Sequence, residues 1–215
     1  MPNRPSNLPP PLPPAMPPMP PPLPPAAARV APRLAHPQHR GFLYDADCPS
    51  CPLNCSPRVP PSGSLTPRLI LIGEEPGPQE ILPRKEQDRR PFIGASGALL
   101  WSMLETLGCS REECWVTNAA CCRAKKVKLH SQFWMQLFDV KKAAASHCHH
   151  RLLWELEYVL AGNPRATIVP LGDYALWATT HLLVPRIYSY RGSIMELDLA
   201  KLKRQPPVPT VRARK

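Results

Sequence analysis

Apolar positions along this chain change period several times, and each change marks an element. Leu69-Ile70-Leu71-Ile72 is a short unbroken apolar run ending at Gly73, the pattern of a strand buried on both faces of a parallel sheet. Ser96 is a candidate cap for a helix from Gly97 to Leu107, where Leu99, Leu100, Met103, Leu104 and Leu107 recur at helical spacing before Gly108 stops it. Cys114-Trp115-Val116-Thr117-Asn118 reads as a second strand. Residues 131 to 160 read as largely helical, with a stripe of Leu152, Leu153, Leu156, Val159 and Leu160 that ends at Gly162-Asn163-Pro164. A third strand is expected from Ala166 to Leu171, then a helix opened by Gly172-Asp173, then late strands at Ser193 to Leu197 and Val208 to Thr210.

Strands alternating with helices imply right-handed crossovers. The expected fold is therefore α/β: a three-layer α/β/α sandwich around a central, mainly parallel, four-stranded sheet. Ligands in such sheets bind at the carboxyl ends of the strands. Gly73-Glu74-Glu75-Pro76-Gly77 and Thr117-Asn118 both fall there.

Composition divides the chain. Residues 1 to 40 hold 16 of the 32 prolines and no acidic residue, which predicts a Pro-rich disordered or polyproline tail. The globular domain is expected at 41–210, with a basic end at 211–215. The net charge of +11 sits almost wholly in the tails, because residues 41 to 200 hold 17 basic and 16 acidic side chains. Arg123, Lys125, Lys126, Lys128, Lys141 and Lys142 form the one dense basic run of the body. Tails and that run together predict a grip on phosphate. The early hydrophobic stretches are all broken by Pro, which argues against a signal peptide or membrane span. A soluble, intracellular, cytoplasmic monomer is expected.

Eight cysteines in a chain of that kind point to metal rather than disulfides. Cys48 and Cys51 form a close pair, and Cys122 and Cys148 are distant singles. They share one centre only if the fold gathers them. Four thiolates suit an iron–sulfur cluster or zinc, and His147, His149 and His150 beside Cys148 read as a solvated, charge-tuned face.

The loop at Gly73–Gly77 lacks the lysine and hydroxyl of a phosphate loop and the spacing of a dinucleotide site. The motifs downstream of it give it meaning: Arg90-Pro91-Phe92-Ile93-Gly94, then Ser96-Gly97 and a helix, then Thr117-Asn118 with Cys122-Arg123 beyond. In this order of motifs, from about Cys48 to Pro209, the chain resembles the family 4 uracil-DNA glycosylases, the iron–sulfur members of the uracil-DNA glycosylase superfamily. The resemblance implies base-excision repair by hydrolysis of the N-glycosidic bond of uracil in single- or double-stranded DNA. It implies a 4Fe-4S cluster on Cys48, Cys51, Cys122 and Cys148, with zinc as the alternative, and leaves Cys55, Cys109, Cys114 and Cys121 as ordinary thiols. Phe92 would stack on the flipped base, and Asn118 would read its edge. Gly73, Glu74, Glu75 and Gly77 would line the substrate, and Glu74, Glu80 and Asn118 are the catalytic candidates.

Two departures from the family pattern bear on activity. Glu75 stands where a small residue is usual, so its side chain is expected to crowd the pocket, repel an anionic leaving group or turn to solvent. Pro207-Val208-Pro209-Thr210 resembles the approach to a His-Pro motif, yet Val211-Arg212-Ala213-Arg214-Lys215 follows in its place. Weakened catalysis is the expectation. The long interval from Cys122 to Cys148 carries Phe133, Trp134 and Phe138 and reads as a local helix burying its aromatics, with contact to DNA as the alternative. Two rival readings remain: an inactive glycosylase-like nucleic-acid-binding protein, and a zinc-stapled α/β protein of unrelated role.

Overall fold

The computed structural model describes residues 46–204 except 55, 125–126, 131–132, 136 and 182–191, with the backbone alone at 127–130, 133–135 and 137–139. The boundaries expected at residues 40 and 210, the Pro-rich tract, Cys55 and the segment 207–215 lie outside the described residues.

Strand β2 (Leu69–Gly73) is the axis of the fold. It pairs in parallel with β3 (Cys114–Asn118) on one side and with β6 (Thr167–Pro170) on the other. The short β1 (Ser62–Gly63) adds an antiparallel edge to β3, giving the order β1-β3-β2-β6. The sheet is thus four-stranded and mainly parallel, and its fourth strand is the Ser62–Gly63 edge.

Side chains along β2 alternate between two cores, as the pleat of a strand requires. Ile70 and Ile72, with Trp115, pack against Leu152, Leu156 and Val159 of α3 (His149–Gly162) and Ala175, Trp177 and Ala178 of α4 (Asp173–Thr180). Leu71 and Val116 face the other way, against Leu100, Trp101 and Leu104 of α1 (Ala95–Thr106). Helices on both faces of the sheet make the α/β/α sandwich.

Three expectations change. Helix α1 starts at Ala95 after Gly94, so Ser96 lies within it, and its apolar stripe splits: Leu100 and Leu104 pack while Leu99, Met103 and Leu107 stay exposed. The stretch 131–160 is not one helix. It contains strand β5 (Phe133–Met135), paired with β4 (Val127–His130) in a hairpin, then α2 (Leu137–His147) and α3, separated at Cys148. The aromatic-bearing insertion is therefore a hairpin rather than a helix. Residues 193–197 form no strand; they lead to the one-turn α5 (Leu199–Leu202), whose Lys201 N–H donates to the Asp198 side chain at 3.0 Å. Among the described residues no helix is long and apolar enough to cross a membrane.

The end of α3 is sewn to the strand-leading loop: Asn163 Nδ2 donates to the Pro67 carbonyl at 2.6 Å, and a Cβ at Gly162 would overlap the Leu65 carbonyl oxygen. Gly162→Ala is expected to destabilise the fold by about 1–3 kcal/mol, as overpacking does. Urea unfolding measures it, and an unchanged midpoint would contradict the close approach.

Candidate active site and thiol-lined cavity

Parallel register sets Gly73 beside Asn118, and the chain then locks there: Ala119 N–H donates to the Gly73 carbonyl at 2.8 Å and Ala120 N–H to the Glu74 carbonyl at 3.0 Å. Gly73 is the meeting point of the candidate site. A Cβ on it would overlap Asn118 Oδ1 and stand 2.8 Å from Phe92 Cζ. Only a residue without a side chain lets the amide and the ring converge over the strand end. Asn118 is 3% exposed, and its Nδ2 has no hydrogen-bond partner among the described residues. A buried donor left open in this way is costly unless something else fills it.

Phe92 sits at φ 55°, in the left-handed region that a bulky side chain avoids. Its surroundings over-determine that conformation. Its N–H donates to Glu80 Oε1 at 2.8 Å, and its carbonyl accepts from Trp101 Nε1 at 2.9 Å and Arg111 Nη1 at 3.3 Å. Arg111 also donates to the Pro91 carbonyl at 2.7 Å and stacks 4.5 Å above the Trp101 ring. A Cβ at Gly97 would overlap the Phe92 carbonyl, so that glycine lets α1 close on the segment. Strain held from several sides is characteristic of functional positions.

The carboxylates are committed to holding backbone. Burial pushes Glu80 above the usual carboxylate range, outweighing the Gly77 and Phe92 N–H groups that favour its charge. It bridges the first loop to Phe92. Glu74 accepts from Lys141 Nζ at 3.3 Å and Tyr174 N–H at 3.4 Å, which leaves its backbone as its part in the strand end. Glu75 neither crowds the pocket nor turns to solvent: it pairs with Lys141 at 3.1 Å and accepts from Ala124 N–H at 2.5 Å. Lys141, placed by the sequence among phosphate-gripping cations, is instead an internal clamp. Burial disfavours its charge, but Glu75 and Glu74 outweigh this and hold its pKa above the usual lysine value. Arg123 is turned inward too, donating to the Pro76 carbonyl at 3.3 Å. Lys125, Lys126 and the side chain of Lys128 lie outside the described residues.

Cys48, Cys51, Cys122 and Cys148 all line one cavity of about 440 Å³. Three pieces of chain bring the cysteines to it, and Glu86 and Arg89 line it from a fourth. The Cys48 loop is tied to the end of α2 by Asp47 N–H donating to the His147 carbonyl at 3.0 Å. Cys122 lies just beyond β3 and bridges to Arg58. Cys148 opens α3. Burial, with the neighbouring cysteines, pushes Cys51 up to about 11 and Cys122 up to about 12. Cys121 is buried and does not line the cavity, but its thiol hydrogen-bonds Cys148; that bond and Arg151 favour the Cys148 thiolate. Cys109 and Cys114 pair at 3.6 Å in the α1-side core. Among the described residues no three His, Cys, Asp or Glu side chains converge tightly enough to grip a single metal ion. The histidines are not one solvated face: His147 pairs with Asp47 and lines the cavity, His149 is buried and donates to the Leu202 carbonyl at 2.6 Å, and His150 alone is exposed.

Arg151, Glu155, Trp101, Arg111 and the clamp role of Lys141 carry no signal in the sequence that marks them as functional. Arg151 and Glu155 stand four apart on α3, a helical pairing signal, but nothing in the sequence says that this pair is buried.

The two central strands of the sheet thus end side by side at Gly73 and Asn118, where the Phe92 ring and the Asn118 amide meet. The uracil DNA glycosylase superfamily matches residues 60–205, and this chain belongs to that superfamily. Among its relatives is a protein of Thermotoga maritima, named as a type-4 uracil-DNA glycosylase, 33% identical over 131 residues, which cover 60% of this chain and 58% of that protein. Proteins of the same name from Pyrobaculum aerophilum and Archaeoglobus fulgidus are 35% and 38% identical over 79 and 65 residues, covering 36% and 30% of this chain and 38% and 30% of theirs. The chain thus spans less than two thirds of the length of each of these relatives.

Because burial raises the folded-state pKa of Glu80, the folded state holds that proton more tightly than the unfolded chain. Its protonation therefore adds stability as pH falls through the window from the folded pKa to the ordinary value of 4.5, and this contribution is lost as pH rises. Glu80→Gln keeps the acceptor for Phe92 N–H and is expected to remove that component. Urea unfolding of both proteins between pH 4.5 and 7 checks it; parallel stability curves would contradict the assignment.

Proposed function

We propose that this chain is a uracil-DNA glycosylase that flips uracil out of single- or double-stranded DNA and hydrolyses its N-glycosidic bond, acting in the cytoplasm as a monomer. The observation that carries this is the convergence of Phe92 and Asn118 over Gly73, with an unfilled amide donor on Asn118. An extruded base needs a ring for its face and polar groups for its edge. Phe92 supplies the first. Asn118 supplies the second, its amide offering both a donor and an acceptor to a pyrimidine edge.

Glu74 and Glu75 are bound to Lys141, and Glu80 holds Phe92, so the reading rests on no free carboxylate for proton transfer. The reaction instead leans on donors placed where negative charge gathers on the departing base, Asn118 first among them. Catalysis then depends on the fixed strand ends.

Cys48, Cys51, Cys122 and Cys148 would hold a 4Fe-4S cluster. All four thiols line one cavity, and thiolates are the ligands such a cluster takes; four thiolates also suit zinc, which is the alternative. When bound, the cluster supplies a structural cross-link among the Cys48 loop, the end of β3 and the start of α3.

Uracil-containing oligonucleotides treated with the protein and then alkali should break at uracil. Asn118→Ala should abolish the breaks, and Phe92→Ala should slow them roughly 5- to 150-fold, the equivalent of about 1–3 kcal/mol of stacking. Protein purified without oxygen should be brown, and Cys148→Ser should lose the colour. No breaks from the wild-type protein would overturn the activity, and a colourless protein containing zinc would overturn the cluster.

A further inference from the structure

Arg151 is a fully buried cation beneath the strand end that carries Asn118. Both terminal nitrogens are occupied. Nη1 donates to Thr117 Oγ1 at 3.1 Å and to Glu155; Nη2 donates to the Asn118 carbonyl at 2.6 Å and the Ala119 carbonyl at 3.3 Å. Its Nε has no partner among the described residues. Glu155 is fixed in turn by Trp115 Nε1 at 2.5 Å, from the start of the same strand. The guanidinium is therefore held by Glu155 and by three consecutive residues of one strand end, 117 to 119.

Stability is a weak reason for such an arrangement. Ion pairs buried this deeply often do no better than apolar side chains of the same volume, because desolvation offsets the attraction. Position is a stronger one. The Asn118 and Ala119 carbonyls directly follow the Cα that carries the Asn118 side chain, and a planar fork fixes two carbonyls at once where an ammonium does not. The anchor also originates three residues after Cys148, so the cavity and the base-reading amide share a short length of α3.

We infer that Arg151 is the positioning residue that aims the Asn118 amide at the base. This rests on the uracil-excision reading for its catalytic consequence, but the placement of the amide can be tested without it. Arg151→Lys keeps the charge opposite Glu155 and loses the fork. In nitrogen–proton NMR spectra the Asn118 side-chain pair, identified by its loss in Asn118→Ala, should be single and sharp in the wild type and shifted and broadened in Arg151→Lys. On a uracil oligonucleotide kcat should fall about 100-fold, the scale of a 1 Å misplacement, with KM little changed.

An unmoved Asn118 pair with unchanged kcat, even at a lowered melting temperature, would overturn the inference and leave Arg151 a structural residue. If the wild-type protein makes no breaks, uracil excision fails while the NMR pair still decides the positioning. Should Arg151→Lys not fold, Thr117→Val removes one anchor at nearly constant volume, and the same two readouts apply to it.

Discussion

Parallel pairing that puts Gly73 level with Asn118 constrains more of this molecule than any other contact. Side chains on a strand alternate faces, so a slip of one residue would send the Asn118 amide to the opposite side of the sheet. The same slip would move the Gly73 and Glu74 carbonyls away from the Ala119 and Ala120 N–H groups that lock the crossing. Cys122 comes four residues after Asn118, so the thiol-lined cavity takes its position from the same register. One strand end therefore serves two sites.

The surroundings of that strand end give up local comfort to keep it in place. Phe92 occupies a backbone region that its side chain disfavours, and Glu80, Trp101 and Arg111 hold it there. Arg151 and Glu155 lie wholly inside the core, and Lys141 is drawn between Glu74 and Glu75. These are polar devices in places where apolar packing would be simpler. They share a region, each reaching the first loop, the Phe92 segment or the strand of residues 114 to 118 and its end, through backbone or side chain. A pocket built for a flat base needs walls that do not drift, which relates the strain to the proposed work.

Much of the frame was legible in the residues. The Leu69–Gly73 and Cys114–Asn118 strands are spelled by apolar runs, and the alternation of elements implied the layered sheet. The hairpin at Val127–Met135 was not, because aromatic and basic residues there fit a helix period as readily as a strand period. The Ser62–Gly63 edge is too short to leave any periodic trace. In the site, Phe92, Asn118 and the four cavity cysteines could be named because motif order marks them. The clamps could not, since Lys141 and Arg123 look in sequence like solvated cations, and only the fold reveals that they turn inward. Glu75 was illegible for the same reason. Its partner lies 66 positions away.

A crystal structure of the protein with a single-stranded oligonucleotide bearing a non-hydrolysable 2′-fluoro-deoxyuridine tests the central claim most directly. The uracil ring is expected against Phe92, with its edge on the Asn118 amide and the backbone at Gly73 close beneath. A base bound elsewhere, or a Gly73–Phe92–Asn118 corner left vacant while DNA is held, would contradict it.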